Sequence, residues 1–232
     1  MPDLASGLIY YLVFLLSTTM HEAAHALAAK WGGDLTAYHG GQVTLDPRPH
    51  IRREPFGMVM LPLLSVLISG WPFGFASAPY DPRWALRHPR RAAWMALAGP
   101  AANLLLVILA VVLIRTGIFV GVFDIPSSAS FGRIVDNVAA ADVWRGVAFV
   151  LSAIFSMNLA LFALNLIPLP PLDGSAGLAA LLPDTTARGY VQWLHTNQVF
   201  GFVGMLVAWR VFDVMFGPIF GFAIRTLYPD VF

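Results

Sequence analysis

Two histidines and a glutamate interrupt an otherwise apolar run in STTMHEAAHALAAK, residues 17–30. Residues 4–20 carry no charge, and neither do residues 26–29. HEAAH has the spacing HExxH. On a helix, His21 and His25 lie one turn apart on one face, so both imidazoles can reach one ion. Glu22 neighbours that face and can take a proton from a water activated there. Ionisable groups inside an apolar span are costly and mark function. The competing reading is a chance HExxH whose histidines are satisfied by polar neighbours. It suits a soluble, Glu-rich helix better than this one.

A catalytic zinc site wants a third protein ligand and one open position. Asp34, Asp46, His50 and Glu54 belong to a basic loop, where His50 reads as solvated. Asp213 has Arg210 one turn away and reads as an ion pair. Asp173 is different. It follows an apolar segment within NLIPLPPLDG, where Pro168, Pro170 and Pro171 forbid a regular helix. Non-helical backbone at membrane depth survives only when it is buried or lines a wet cavity. Residue type alone leaves Asp173 balanced between a ligand and a helix N-cap ahead of Gly174. Topology breaks that balance.

The chain has 232 residues, of which 58% are hydrophobic and 12% charged. Its mean hydropathy is +0.70. Soluble domains carry about 25% charged residues, so this composition reads as an integral membrane protein. A net charge of +1 offers no footprint for nucleic acid. The lack of cysteine removes disulfides, thiolate metal sites and cysteine nucleophiles. The N-terminus has an acid and no basic region, which argues against a cleaved signal peptide.

Clear apolar spans are expected at 4–29, 92–114 and 146–166, with a further one at 199–227 interrupted by Arg210, Asp213 and Gly217-Pro218. Residues 35–45 alternate enough to be strand-like, and a short strand is also expected near 73–78. Residues 174–196 read as interfacial, and Trp71, Trp84 and Trp94 as anchors at the membrane surface. Residues 56–68 are apolar but hold Pro62 and are short for a crossing of about 20 residues. Lys30, Arg48, Arg52 and Arg53 flank one loop; Arg83, Arg87, Arg90 and Arg91 flank the next. The positive-inside rule puts both loops in the cytoplasm, so residues 56–70 form a re-entrant segment rather than a crossing. Residues 31–54, 72–90 and 174–190 then share the cytoplasmic face and 116–142 the other. The first span runs outside to inside, with His21 about 13 Å from its inner end. The 146–166 span returns to that same half-membrane and delivers Asp173 beside the histidines.

HEAAH, AGPAANLLL and NLIPLPPLDGS, in this order on three apolar segments, resemble the site-2 protease family of intramembrane zinc metalloproteases. The loop GGDLTAYHGGQVTLDPRPHI resembles its compact prokaryotic members, and the likeness runs from about Phe14 to Leu182. The resemblance implies one Zn²⁺ per chain held by His21, His25 and Asp173, with Glu22 as general base. It implies that Asn165 helps hold the peptide carbonyl oxygen or the substrate backbone, and that Asn103, at the GPxxN position, lines the substrate cavity. Pro171 is expected in that cavity too. Gly99-Pro100 reads as a kink or a site of close packing.

The expected fold is an all-α integral membrane protein: one polytopic helical bundle over residues 1–232, with a small membrane-associated β element. The expected function is hydrolysis of a peptide bond in or near a transmembrane helix of a membrane-protein substrate. That substrate and the lipid bilayer are the expected partners, with a regulatory membrane partner as a further one. The expected location is the prokaryotic inner or plasma membrane, with the active site in its cytoplasmic half. No PDZ-type or CBS-type domain and no span ahead of the HEAAH helix are expected. A metal transporter and a catalytically inactive helix-binding relative are the rival readings.

Overall fold

The computed structural model describes residues 3–138, 142–197, 199–229 and 231. Helix α1 (Leu4–Gly32) starts where the Asp3 side chain accepts from Ala5 N, and stops at Gly33. Gly33 has φ +95°, and its N–H turns back to the carbonyls of Ala29 and Lys30. Glycine closes a helix this way because no Cβ resists the left-handed conformation. Two short helices follow, α2 (Thr36–His39) and α3 (Pro47–Arg53). The strand expected at 35–45 is therefore absent. Local capping overrides the alternation: Asp34 accepts from the N–H and hydroxyl of Thr36, and Asp46 accepts from Arg48 N with Pro47 at the first helical position.

A π-helical turn (Phe56–Met60) runs into α4 (Leu61–Ser69), which ends at Gly70 with φ +75°. Short α5 (Pro82–Arg87) leads to α6 (Pro89–Phe119). Strands β1 (Phe123–Asp124) and β2 (Asp136–Asn137) form the only sheet among the described residues, an antiparallel pair with Phe123 opposite Asn137. Then come α7 (Asp142–Asn165), α8 (Asp173–Gly177), a 3₁₀ turn (Leu178–Leu181), α9 (Asp184–Thr196) and α10 (Val199–Leu227). Among the described residues, α1, α6, α7 and α10 are long and apolar enough to cross a membrane. Four such helices mark a multi-pass membrane protein. The β element thus exists, but in the 115–145 segment rather than at 35–45, which holds α2, or at 73–78, where the chain has neither helix nor strand.

Helix α6 packs against both α1 and α7 and forms the centre of the bundle. The segment 56–81 is a hairpin of unequal limbs. Gly7 of α1 sits against Val66 and Gly70, and the Trp71 ring lies 4.6 Å from Tyr10 and 4.7 Å from Phe131. The limb then returns, and Asp81 N donates to the Asp34 carboxylate at 2.9 Å. From Tyr10 to Asp34 the helix climbs about 36 Å at 1.5 Å per residue. Ten residues from Trp71 to Asp81 cover at most about 33–36 Å. The return limb must therefore be nearly fully extended, which leaves no slack for a helix. Residues 31–54 and 81–91 meet at one end: Trp84 Nε1 and Arg91 both donate to Gly32 O. The expected re-entrant excursion at 56–70 fits this arrangement. Residues 72–78, expected at that end as well, instead run along the depth of α1.

Two smaller expectations fail. Trp84 is 4% exposed, locked by its bond to Gly32 O rather than free at an interface. His50 is 1% exposed, with Nε2 on Thr44 O. Helix α10 is one continuous helix with Pro218 inside it.

Candidate functional site

Three side chains from two distant stretches converge. His21 Nε2 and His25 Nε2, one turn apart on α1, are 2.9 Å apart. Asp173, the first residue of α8, brings Oδ2 to 3.0 Å from His21 Nε2 and 3.3 Å from His25 Nε2. A carboxylate oxygen of Glu22 lies within 4.8 Å of a ring nitrogen of each histidine. Its Oε2 is buried without a hydrogen-bond partner.

The far side of each imidazole fixes which nitrogen is free. His25 Nδ1 lies 2.8 Å from Met95 O, a carbonyl that can only accept, so Nδ1 carries the proton. His21 Nδ1 lies 2.6 Å from Asn103 Oδ1. That amide is itself held in one orientation. Asn158 Nδ2 donates to Ile154 O and to Ser17 Oγ, which turns Asn158 Oδ1 toward Asn103. Asn103 Nδ2 donates to that oxygen, which leaves Asn103 Oδ1 for His21. A backbone carbonyl on α7 therefore sets the tautomer of a histidine on α1 through two amides.

The result is two imidazole lone pairs and a carboxylate oxygen pointed at one another. With each Nδ1 committed, neutral imidazoles leave no donor among them, and a positive charge, either a metal ion or a second proton on an imidazole, reconciles such a triangle. Tetrahedral bonds of about 2.0–2.1 Å place ligand atoms about 3.3 Å apart, close to the spacing seen. The residues present fit a zinc ion. Each histidine donates its other ring N–H to an oxygen, the arrangement that orients metal-binding imidazoles.

Gly99 lets α6 come this close. A Cβ there would stand 2.4 Å from His25 Nε2 and 2.5 Å from His21 Nε2. Close packing is thus the function of the Gly99-Pro100 step. Gly174 has a similar constraint, since its Cβ would meet Leu166 O at 2.3 Å. It follows Asp173 directly, after the cis Pro170–Pro171 peptide.

The cluster opens on a cavity of about 800 Å³ whose walls include Phe75, Asn165, Pro171 and His195. Cavities of this size hold extended organic ligands. Asn165 ends α7 on this wall, and its side chain has no partner among the described residues. Pro171 lies where expected. Asn103 does not: it is fully buried, absent from the wall, and spent on His21 and Asn158. The sequence reading missed Asn158 and Thr18. Asn158 lies two turns before Asn165 on an apolar helix, and a polar residue there was the available signal. Thr18 lines the cavity one turn before Glu22, its hydroxyl unpartnered.

Apolar membrane-crossing helices closed around a His–Glu–His–Asp cluster define the class as a membrane protein with a metal-site architecture. The profile of Peptidase family M50 matches residues 9–210, and the chain belongs to that family, the site-2 proteases whose motifs it carries. It is 34% identical over 204 residues to the "Putative zinc metalloprotease YwhC" of Bacillus subtilis, covering 87% of this chain and 80% of that one. It is 32% identical over 176 residues to the "Putative zinc metalloprotease Rip2" of Mycobacterium tuberculosis, covering 75% of this chain and 58% of that one. The chain thus spans a little over half of the mycobacterial relative. No solved structure matches.

Proposed function

We propose that this chain is an intramembrane zinc metalloendopeptidase, a single domain over residues 1–232, cutting a peptide bond in or near a transmembrane helix of a membrane-protein substrate. The observation that carries the proposal is the convergence of three lone pairs beside an unpartnered carboxylate, at a cavity between membrane-crossing helices. His21, His25 and Asp173 would hold one zinc ion. When bound, zinc supplies a Lewis acid that polarises the scissile carbonyl and acidifies water. Glu22 accepts the proton of the attacking water and passes it to the leaving amine. Asn165, with a free amide on the cavity wall, donates to the developing oxyanion. Met95 O and Asn103 hold the two imidazoles so that their Nε2 atoms stay unprotonated.

A substrate helix has to unwind first, because each of its peptide bonds is hydrogen-bonded within the helix. The irregular limb 73–78, which supplies Phe75 to the cavity, offers backbone groups for pairing with the unwound stretch. The end carrying Lys30, Arg53, Arg83, Arg87, Arg90 and Arg91 is read as cytoplasmic. On that reading the site would lie in the cytoplasmic half of a prokaryotic plasma membrane. The test is incubation of purified protein with single-span substrates, with and without a chelator. Cleavage that survives complete zinc removal overturns the proposal.

A further inference from the structure

Helix α10 is the least covered of the four long helices, with 11% of its most apolar window buried. Its inner side packs through Gly204 against Pro170 and through Ala208, which is 0% exposed. The opposite side is bare. Val203, Leu206, Arg210, Asp213 and Gly217 are all exposed. Their spacing of three and four residues alternates, which puts them in one stripe along the helix.

Two of these residues are charged. Arg210 and Asp213 were expected to pair with each other, yet neither side chain has an ion-pair or hydrogen-bond partner among the described residues. Asp213 is the middle residue of Val199–Leu227, fourteen residues and about 21 Å from both ends. A carboxylate has too short a stem to reach the membrane surface from there, whereas arginine can snorkel part of the way. Charges inside a membrane face protein or water and pair with one another. A cation and an anion one turn apart on a bare stripe are therefore half of an interface.

We infer that the α10 stripe is a self-association surface, and that its occupant is α10 of a second copy of this chain. Two copies in one membrane insert with the same orientation, so their α10 helices are parallel and related by a two-fold axis along the membrane normal. Arg210 of each copy then stands three residues, about 4.5 Å of rise, from Asp213 of the other. Both ion pairs form at once and no charge is left over. An unrelated helix would need an acid and a base in matched order to do the same. Gly217 supplies the close approach, since nothing lies within 4 Å of a Cβ placed on it. Small residues on the contact line let membrane helices pack backbone to backbone.

The chain has no cysteine, so single cysteines report the surface directly. Oxidative cross-linking in native membranes should give a covalent dimer from Val203→Cys and Leu206→Cys. Met215→Cys, similarly exposed but turned about 160° from Asp213 on the helix, should not give one. In the Val203→Cys background, Arg210→Asp alone and Asp213→Arg alone should each lose the dimer. Co-expressed with different tags, the two reversed chains should cross-link to each other, because every pair is again opposite in sign. That rescue excludes a folding defect. A mixed dimer that fails to form overturns the inference. So does equal cross-linking from Met215→Cys, or cross-linking to a different polypeptide instead. None of these readouts depends on zinc or on peptide cleavage.

Discussion

Glu22 and its neighbours differ by what each side chain can do with one proton. Glu22→Gln keeps shape and helix, but the amide cannot accept a proton from water. Hydrolysis should fall by about 10²–10⁴-fold, the usual contribution of a general base, while zinc content stays at the parent level. A variant that loses zinc along with activity would move Glu22 among the ligands. Asn158 makes a different prediction. It touches neither the histidines nor the cavity wall, yet it fixes the Asn103 amide that fixes the His21 tautomer. Asn158→Leu frees Asn103 to turn its NH₂ toward His21 Nδ1, which favours the tautomer with its proton on Nε2, where a metal would bind. Zinc affinity should drop by about 10–100-fold in a competition titration, with the helical circular dichroism unchanged. Unaltered affinity would reduce Asn158 to packing. HExxH was legible in the sequence because i, i+4 spacing is a local property of a helix. The relay was not, since it joins α1, α6 and α7 across residues 17, 103 and 158, and no local pattern encodes which buried amides will face each other.

At the scale of elements, glycine positions decide how near α6 can come to α1. Gly99→Ala would place a methyl group 2.4–2.5 Å from both Nε2 atoms, so either the imidazoles turn away or α6 retreats. Zinc should be lost or nearly so in the purified variant, measured by metal analysis. Gly146→Ala on α7 is the contrast: nothing lies within 4 Å of its Cβ. Alanine favours a helix over glycine by about 1 kcal/mol, so zinc and folding should both be retained. Equal zinc in the two variants would show that Gly99 does not set the metal site. The long helices were readable from hydropathy to within a few residues, and α10 to both of its ends. The 35–45 and 73–78 stretches were not. Alternation suggested strands, but a strand needs an edge to pair with, and capping by Asp34 and Asp46 instead wound 36–39 and 47–53 into helices. The return limb is straight because of the height it must cover, a constraint that exists only once α4 has packed on Gly7. Thiol labelling separates the two topologies. Cysteines placed in 31–54 and 81–88 should react from the same side, and one at Trp71 or within 123–137 from the other. Opposite-side labelling of the two basic stretches would make 56–70 a true crossing.

Across the whole molecule, the cluster ties the first helix to a loop 152 residues later in the chain. Asp173 opens α8 just after the non-helical stretch that follows α7, and that helix is short: Leu172 caps it without a side-chain bond, and α8 is five residues long. What holds this segment beside α1 is the packing of α8 on α6, where Gly177 meets Leu97, the packing of Gly204 on Pro170, the bond from the Tyr190 hydroxyl to Ser175 O, and the cluster itself. Without a cation, the cluster sets two lone pairs and a carboxylate against one another, so it pushes α8 away from α1. With a cation it draws them together. Zinc should therefore act as a clip on the folded state as well as a reagent. A ligand held at about a thousand times its dissociation constant stabilises by about 4 kcal/mol. Chelation should thus lower the melting temperature of the detergent-solubilised parent by several degrees, read from tryptophan fluorescence. Asp173→Ala removes one ligand and its negative charge. It should bind zinc far more weakly and melt at one temperature whether or not chelator is present. The apo comparison is the sharper test when made at a pH high enough to keep both imidazoles neutral. With chelator in both samples there, Asp173→Ala relieves an unpaired carboxylate, so it should melt no lower than the zinc-free parent. A zinc-free parent that melts as high as the zinc-loaded one would mean that the three side chains are held by packing alone, and the cluster would then have no part in joining the two ends of the chain.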